Sequence, residues 1–565
     1  MTTNPIGQAG DQKLCHWPMQ PRTMLAGVLF LTLVPTIVQL LISWMGMTPT
    51  DDGFFLGMSR RLLDGEIPHR DFITARPVGT GILWTPIVFL GGDYTIWISR
   101  FFVWFQIAGI AWIWTVLIHR MLKQVIGPTE QTALALIAFV GTATTFIITP
   151  WPTIDGLWFV SVGLILGMSR QSYRKFLGYL MIGATSLFKQ NFLVLGPVFL
   201  LLLGDWRRFR YWLAVLLPGF AYVVFMWQAG ALADFTLQLT CHAELVQTGI
   251  RSYFRSHEMY CGFITGYFGL LIVSGDVKKS VLNLPRYLRL WLIAIGPAVI
   301  VIPLALSLFS IFGPLRYSLM LFGMVIGATV YFFCHRETPF EVIKIAFLVL
   351  AIMWALSISI GCNFPVLGAG MAIVLLTGYL RNILASQAAE ARFQSLWRSG
   401  LLVCTAILLV CFVTARSWHI YKEQPAWKLS CSLSGVLPGG RMIRTNPVTY
   451  EYLKELHDTI EQLQGREFAI IPDAAIYWIK APQKNPLPID WPQNIELPTP
   501  ALFNRVVQSL ESQRGRLVIL VAKVTGFSLG DKPAPFGEGG IYTIVPYVQS
   551  HFRKVGETQY WAMYE

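Results

Sequence analysis

The sequence predicts a polytopic α-helical membrane protein that ends in a small α/β domain, and three observations carry that prediction. Of the 565 residues, 54% are hydrophobic and only 13% charged, about half the charged fraction with which a soluble domain covers its surface. Apolar runs of roughly 16 to 25 residues recur from Met24 to Ala415 and then stop. Beyond Ala415 the chain has the composition of a small soluble domain, with amphipathic helical periods and short buried strands. The net charge of +13, from 44 Lys and Arg against 31 Asp and Glu, fits basic cytoplasmic loops in such a chain and not a nucleic-acid partner.

The first run, 24–45, is too long for a signal-peptide core and lacks an A-x-A cleavage site. It is therefore a span, behind a cytoplasmic segment 1–23. Further spans are expected at 95–118, 132–149, 156–169, 176–188, 190–204, 211–229, 257–274, 291–312, 317–333, 345–360, 364–380 and 400–415, about 13 in all. Every basic cluster then falls on the cytoplasmic side: His119–Arg120, Arg170 with Arg174–Lys175, Arg207–Arg208, Lys278–Lys279 with Arg286, and Arg381 with Arg392 and Arg398. The outer side carries the loop 46–94, the corners 150–155 and 188–191, the loop 230–256 and the tail 416–565. The shortest case is 257–274; if it were re-entrant, the tail would lie inside. Cys241 and Cys261 lie near the outer side, where a disulfide is permitted, though two packed thiols are favoured.

In the tail, Asn446–Pro447 supplies an N-cap and an N1 proline, and Leu453, Leu456, Ile460 and Leu463 make one apolar stripe. Gly465 is expected at the C′ position. Phe468–Ile471 and Leu517–Val521 read as buried strands, Ala501–Ser512 as a second helix and Lys554–Tyr564 as an edge hairpin. The Pro-rich stretch 482–500 is long enough to lie against the membrane part, and equally suits a plain surface loop.

The eight cysteines form no C-x-x-C, and no H-E-x-x-H, Walker-type, G-x-G-x-x-G or D-x-D pattern occurs. The chemistry concentrates in the loop after the first span: Asp51-Asp52-Gly53-Phe54-Phe55, Arg60-Arg61, His69-Arg70-Asp71-Phe72 and Ala75-Arg76-Pro77. Apolar residues at helical spacing from Phe54 to Leu63 predict short helices along the membrane surface. Adjacent carboxylates at an interface of reduced dielectric raise the pKa of one of them and suit it to accept a proton, although Asp51–Asp52 would equally serve as helix caps. Arg60, Arg61, Arg70 and Arg76 suit a diphosphate or a lipid phosphate, with simple headgroup contact as the alternative. Lys189, between two apolar runs, is costly unless it faces water or an anion; snorkelling is its bland reading. His242 and Glu244 are weak metal candidates, read more readily as hydrated loop residues.

This loop resembles the first periplasmic loop of the GT-C glycosyltransferases, on the pattern Asp-acidic-Gly with two aromatics, a helix, Gly-x-x-Pro-x-Arg-Asp-Phe and a basic-Pro pair. The nearest branch is the bacterial kin of protein O-mannosyltransferases and of aminoarabinose transferases that modify lipid A. Pro150-Trp151-Pro152-Thr153-Ile154-Asp155 resembles the Pro-x-x-x-x-Asp corner of these enzymes, and Ser186-Leu187-Phe188-Lys189-Gln190-Asn191 their Lys-Gln corner. The resemblance implies a GT-C membrane domain, 24–415, in a bacterial inner membrane, with a periplasmic α/β module, 416–565. It implies a polyprenyl-phosphate-linked sugar donor and a lipid, glycan or protein acceptor. It further implies Asp51 as the catalytic carboxylate with Asp52 beside it, Asp155 on the active face, and Arg76 and Lys189 at the carrier phosphate; the loop's own charge adds Arg70 and Arg60 as donor-phosphate candidates. The family's metal-binding acidic residue is Ala75 here, so no cofactor is carried over, although a divalent metal stays open.

Such a site suits single-step inverting transfer, in which a carboxylate takes the acceptor proton while the phosphate leaves. A lipid-sugar transporter or flippase shares the hydropathy, but the acidic loop has no counterpart in the second half of the chain. A non-catalytic relative that binds carrier lipids is the other alternative.

Overall fold

The computed structural model describes residues 21–144, 148–274, 286–310, 313–334, 340–357, 364–385, 390–526, 529–530, 533–535 and 542–565. Most of the N-terminal segment and the Lys278–Lys279 cluster lie outside them. The membrane part is helical: α1 (Pro21–Ile42), α2 (Asp51–Leu63), α3 (Gly79–Leu90), α4 (Thr95–Met121), α5 (Pro128–Ala143), α6 (Pro152–Gly167), α7 (Ser172–Ala184), α8 (Leu195–Leu202) and α9 (Phe209–Gln228). Then come α10 (Leu232–Thr240), α11 (Ala243–Arg255), α12 (His257–Ser274), α13 (Arg286–Ser307), α14 (Gly313–Cys334), α15 (Phe340–Ser357), α16 (Ala369–Ala385) and α17 (Glu390–Trp418). Each predicted apolar run overlaps one of these helices, with bounds that differ by up to about ten residues. Among the described residues, six helical segments, Pro21–Ile42, Gly92–Met121, Phe209–Gln228, Gly313–Cys334, Val366–Ala385 and Phe393–Trp418, are long and apolar enough to cross a membrane by length and composition.

The run 257–274 is the continuous helix α12, and it packs on α14 backbone to backbone. Gly262-x-x-x-Gly266 faces Gly323-x-x-x-Gly327: a Cβ on Gly262 would stand 2.0 Å from the Met320 carbonyl oxygen, and one on Gly323 2.1 Å from that of Met259. Small residues four apart let two apolar helices approach this closely where lipid gives no hydrophobic drive between them. Arg381 is not a free basic loop residue. It is buried against Glu130, with Nε 2.8 Å from Oε1, and the Trp397 indole donates to the same oxygen.

The tail forms β1 (Cys431–Ser432), β2 (Arg444–Thr445), α18 (Pro447–Gln462), β3 (Phe468–Ile471), α19 (Ala475–Trp478), α20 (Pro500–Ser512), β4 (Val518–Ala522), α21 (Ile544–His551), β5 (Lys554–Glu557) and β6 (Trp561–Tyr564). Its sheet runs β3-β4-β6-β5, parallel between β3 and β4 and antiparallel elsewhere. Asn446 caps α18 by accepting from the Val448 and Thr449 amides. The glycine stop falls one residue later than expected. The helix cap is Leu463, so Gln464 occupies C′ at φ +53° and Gly465 follows at φ +83°.

Helix α2 does not lie open along the membrane surface. Ten of its thirteen residues are buried, because Phe54, Phe55, Met58, Phe72 and Ile73 share one hydrophobic core with Leu487, Ile489, Trp491 and the sheet of the tail. The Pro-rich stretch is correspondingly a clamp and not a plain surface loop: the Pro488 carbonyl accepts from the Ile73 amide at 2.7 Å. Cys241 and Cys261 are free thiols.

Candidate functional site

The site is built around the N-terminus of α2, where Asp51 and Asp52 occupy the first turn. Carboxylates are favoured there by the unpaired amides and dipole of the helix. The two side chains are held differently. Asp52 accepts from its neighbours on both oxygens: the Thr48 amide donates to Oδ2 at 2.8 Å and Arg100 Nη2 to Oδ1 at 3.2 Å. Asp51 is equally buried, yet its Oδ2 meets no donor. Burial pushes its carboxyl up to about 6, opposed by a hydrogen bond from Tyr421 and by Lys422, and supported by repulsion from Asp52. One carboxylate of the pair is thus fixed and the other is poised to hold or release a proton.

The tail closes over this pair. The Ile476 amide donates to the Pro49 carbonyl at 3.1 Å, bringing α19 onto the start of α2. Asp473, on the same segment, is buried, accepts from the Tyr542 hydroxyl at 2.9 Å through Oδ2, and leaves Oδ1 without a partner. Burial pushes its carboxyl up to about 7, against the Tyr542 and Gly526 hydrogen bonds and helped by the charge of Asp51. Trp491 packs edge-on to Phe54 at 5.5 Å and covers the next turn.

The four loop arginines have separate environments. Arg61 is buried between Asp490 and Glu66 and donates to the Leu487 carbonyl, so it is a structural tie to the tail. Arg60 pairs with Asp64 at 3.0 Å, one turn along α2. Arg70 pairs with its neighbour Asp71 and is the most exposed of the four. Arg76 lies over the rings of Phe54 and Phe55 and meets Glu496 of the Pro-rich stretch at 3.3 Å. The guanidinium expected at a carrier phosphate is therefore paired here with a carboxylate of this same chain.

The two distant corners do reach the loop. Thr149 donates to the Asp52 carbonyl and Trp151 packs edge-on to Phe55 at 5.1 Å. Gln190 donates to the Ala75 carbonyl at 2.7 Å. Their charged residues are held by partners other than Asp51 and Asp52. Asp155 is fully buried and accepts from the Trp84 indole and from Gln106 Nε2 at 2.8 Å, and Lys189, also buried, donates to the Leu356 carbonyl at 3.0 Å. His242 is half-buried, and burial lowers its pKa, with Glu496 opposing and Arg76 reinforcing that shift; Glu244 is exposed. Among the described residues, no three His, Cys, Asp or Glu side chains gather as a metal site.

Comparison with family models, curated proteins and solved structures finds no match. The functional reading therefore rests on this geometry and on the motif resemblance. Two residues at the site were not anticipated from sequence: Arg100 and Asp473. Arg100 carried a usable signal, since a guanidinium within an apolar helix needs a partner for the same reason that Lys189 does.

Proposed function

We propose that this protein is a membrane glycosyltransferase that moves a sugar from a polyprenyl-phosphate carrier to a lipid, glycan or protein hydroxyl. The reading includes a GT-C architecture of about 13 spans in a bacterial inner membrane, with the acidic loop and the tail on the periplasmic side. The observation that carries it is the division of labour between Asp51 and Asp52: one carboxylate neutralised by Arg100, its neighbour buried with a free oxygen. That is the arrangement a general base needs. In the proposed step Asp51 takes the acceptor hydroxyl proton, the acceptor oxygen bonds to the anomeric carbon, and the bond from that carbon to the carrier phosphate breaks. The charge that develops on the leaving phosphate is met by cationic side chains, which act more in the transition state than in the ground state. Arg76 serves there once a phosphate displaces Glu496, and Lys189 is the second cation assigned to the phosphate by the motif resemblance.

Membranes containing the protein are expected to transfer radiolabel from one member of a panel of polyprenyl-phosphate sugars into a lipid, glycan or protein fraction. No incorporation from any donor, under conditions where the protein is folded, would sink the reading. The orientation has its own check: a reporter fused after Glu565 is expected to be active only outside the cytoplasm, and cytoplasmic activity reverses the assignment.

A further inference from the structure

Beside the acidic pair lies a cavity of about 50 Å³, walled by Ser43, Thr48, Asp52, Arg100, Arg416 and Tyr421 among others. It has room for a few waters or one phosphoryl group but not for a sugar ring. Two guanidiniums line it, and both are buried. Arg100 spends Nη1 on the Ser43 carbonyl and Nη2 on the Gly46 carbonyl and Asp52. Arg416, from the end of α17, gives Nη2 to the Ala143 carbonyl at 2.9 Å and lies over the rings of Trp104 and Phe412. The Nε of each has no partner. A buried N–H without an acceptor is costly, more so on a charged group, and both residues that line this cavity carry one.

The charges do not balance either. Against two guanidiniums the cavity wall presents one carboxylate, Asp52. Desolvated cations are retained where an anion compensates them. The depth is also informative. Helix α1 ends at Ile42 and α17 at Trp418; Ile42 and Tyr421 line the cavity, and Trp418, Tyr421 and Trp427 are exposed at and just past the end of α17. Such a belt of Trp and Tyr marks the level of lipid headgroups.

We propose that this cavity binds a phosphoryl anion, lipid-linked or free, with Arg100 and Arg416 as its cationic ligands. Two guanidiniums offering N–H groups suit phosphate oxygens better than a compact ammonium would. The site lies next to Asp51 and Asp52, so under the proposed function it adds two buried cations to Arg76 in holding the carrier phosphate. That identification of the carrier rests on the functional reading; the anion site does not.

The test is binding by the full-length protein, measured calorimetrically with farnesyl phosphate, phosphatidylglycerol and inorganic phosphate in separate arms, on wild type and Arg416→Gln. Farnesyl phosphate is expected to bind wild type and to lose at least tenfold in affinity in the variant. Binding of inorganic phosphate by wild type as well points to recognition of the phosphoryl group itself, and binding of phosphatidylglycerol alone assigns the site to a bilayer headgroup; both support it if they are lost in Arg416→Gln. If Arg416→Gln does not fold, Ile420→Trp is used, which fills the cavity and keeps both guanidiniums, with the same tenfold loss expected. Unchanged affinity for all three probes in a folded variant overturns the proposal. Phosphate binding with no sugar transfer would remove the proposed function and leave this site standing.

Discussion

Under the proposed function, Asp51→Asn is expected to lower sugar transfer by about 10²-fold to 10⁴-fold, the range for a lost general base, while the protein still folds. The substitution keeps the size of the side chain, and the affected Oδ2 has no partner to lose. Asp52→Asn should behave differently. It weakens the pairing with Arg100 and leaves that buried guanidinium undercompensated, so yield and thermal stability fall along with activity. The pH profile separates the roles further. A base must be ionised to act, and burial holds Asp51 up at about 6. Transfer per folded molecule is therefore expected to rise with pH through about 6 and to level above it. The stability sign is opposite: the folded state binds the Asp51 proton more tightly than the unfolded chain, so this group contributes most stability at low pH and loses it as pH rises towards about 6. Wild-type turnover in folded Asp51→Asn, or a profile flat between pH 5 and 8, would move the base elsewhere.

What the sequence revealed and what it concealed divide by range. Asn446 as a cap, the runs that became helices and the strands Phe468–Ile471 and Val518–Ala522 are set by residues a few positions apart, and period and cap chemistry expose them. The closure of the tail over α2 is set by pairs such as Arg61 with Asp490, 429 positions apart, which leave no local pattern. Arg61 therefore read as one of four arginines free for phosphate, when it is a tie between the two parts of the chain. Arg76 misled for the same reason, since Glu496 sits in a stretch whose docking is invisible in one sequence. Asp473 stands alone in an apolar stretch and acquires meaning only when β3 ends beside Asp51. Arg100 and Arg416, near the ends of apolar runs, invite a snorkelling account, yet both turn inward.

Gly53→Ala is expected to undock the tail from α2. A Cβ at this position would lie 2.0 Å from the Ile476 nitrogen, 2.2 Å from its Cα and 2.4 Å from the Ala475 carbonyl carbon. All three are backbone atoms, so no side-chain rotation relieves the clash. Nor can either element slide freely. Helix α2 is held by Arg61 to Asp490 and Leu487, and α19 by the Ile476 amide to Pro49. Overpacking costs about 1–3 kcal/mol where side chains can adjust, and here a whole segment must move. The cheapest relief is separation, which exposes Phe54, Phe55 and Trp491 to water and releases the core they share with the sheet. Limited proteolysis of the segment joining Trp418 to Pro447 should then proceed at least tenfold faster than in wild type, and transfer should fall although Asp51 is intact. Ser59→Ala, on the same helix, loses only its bonds to the Phe55 and Gly81 carbonyls and should keep wild-type protection. Equal protease resistance in Gly53→Ala would mean that the tail does not bear on α2 in solution, and the closure of the acidic site by the tail would fall with it.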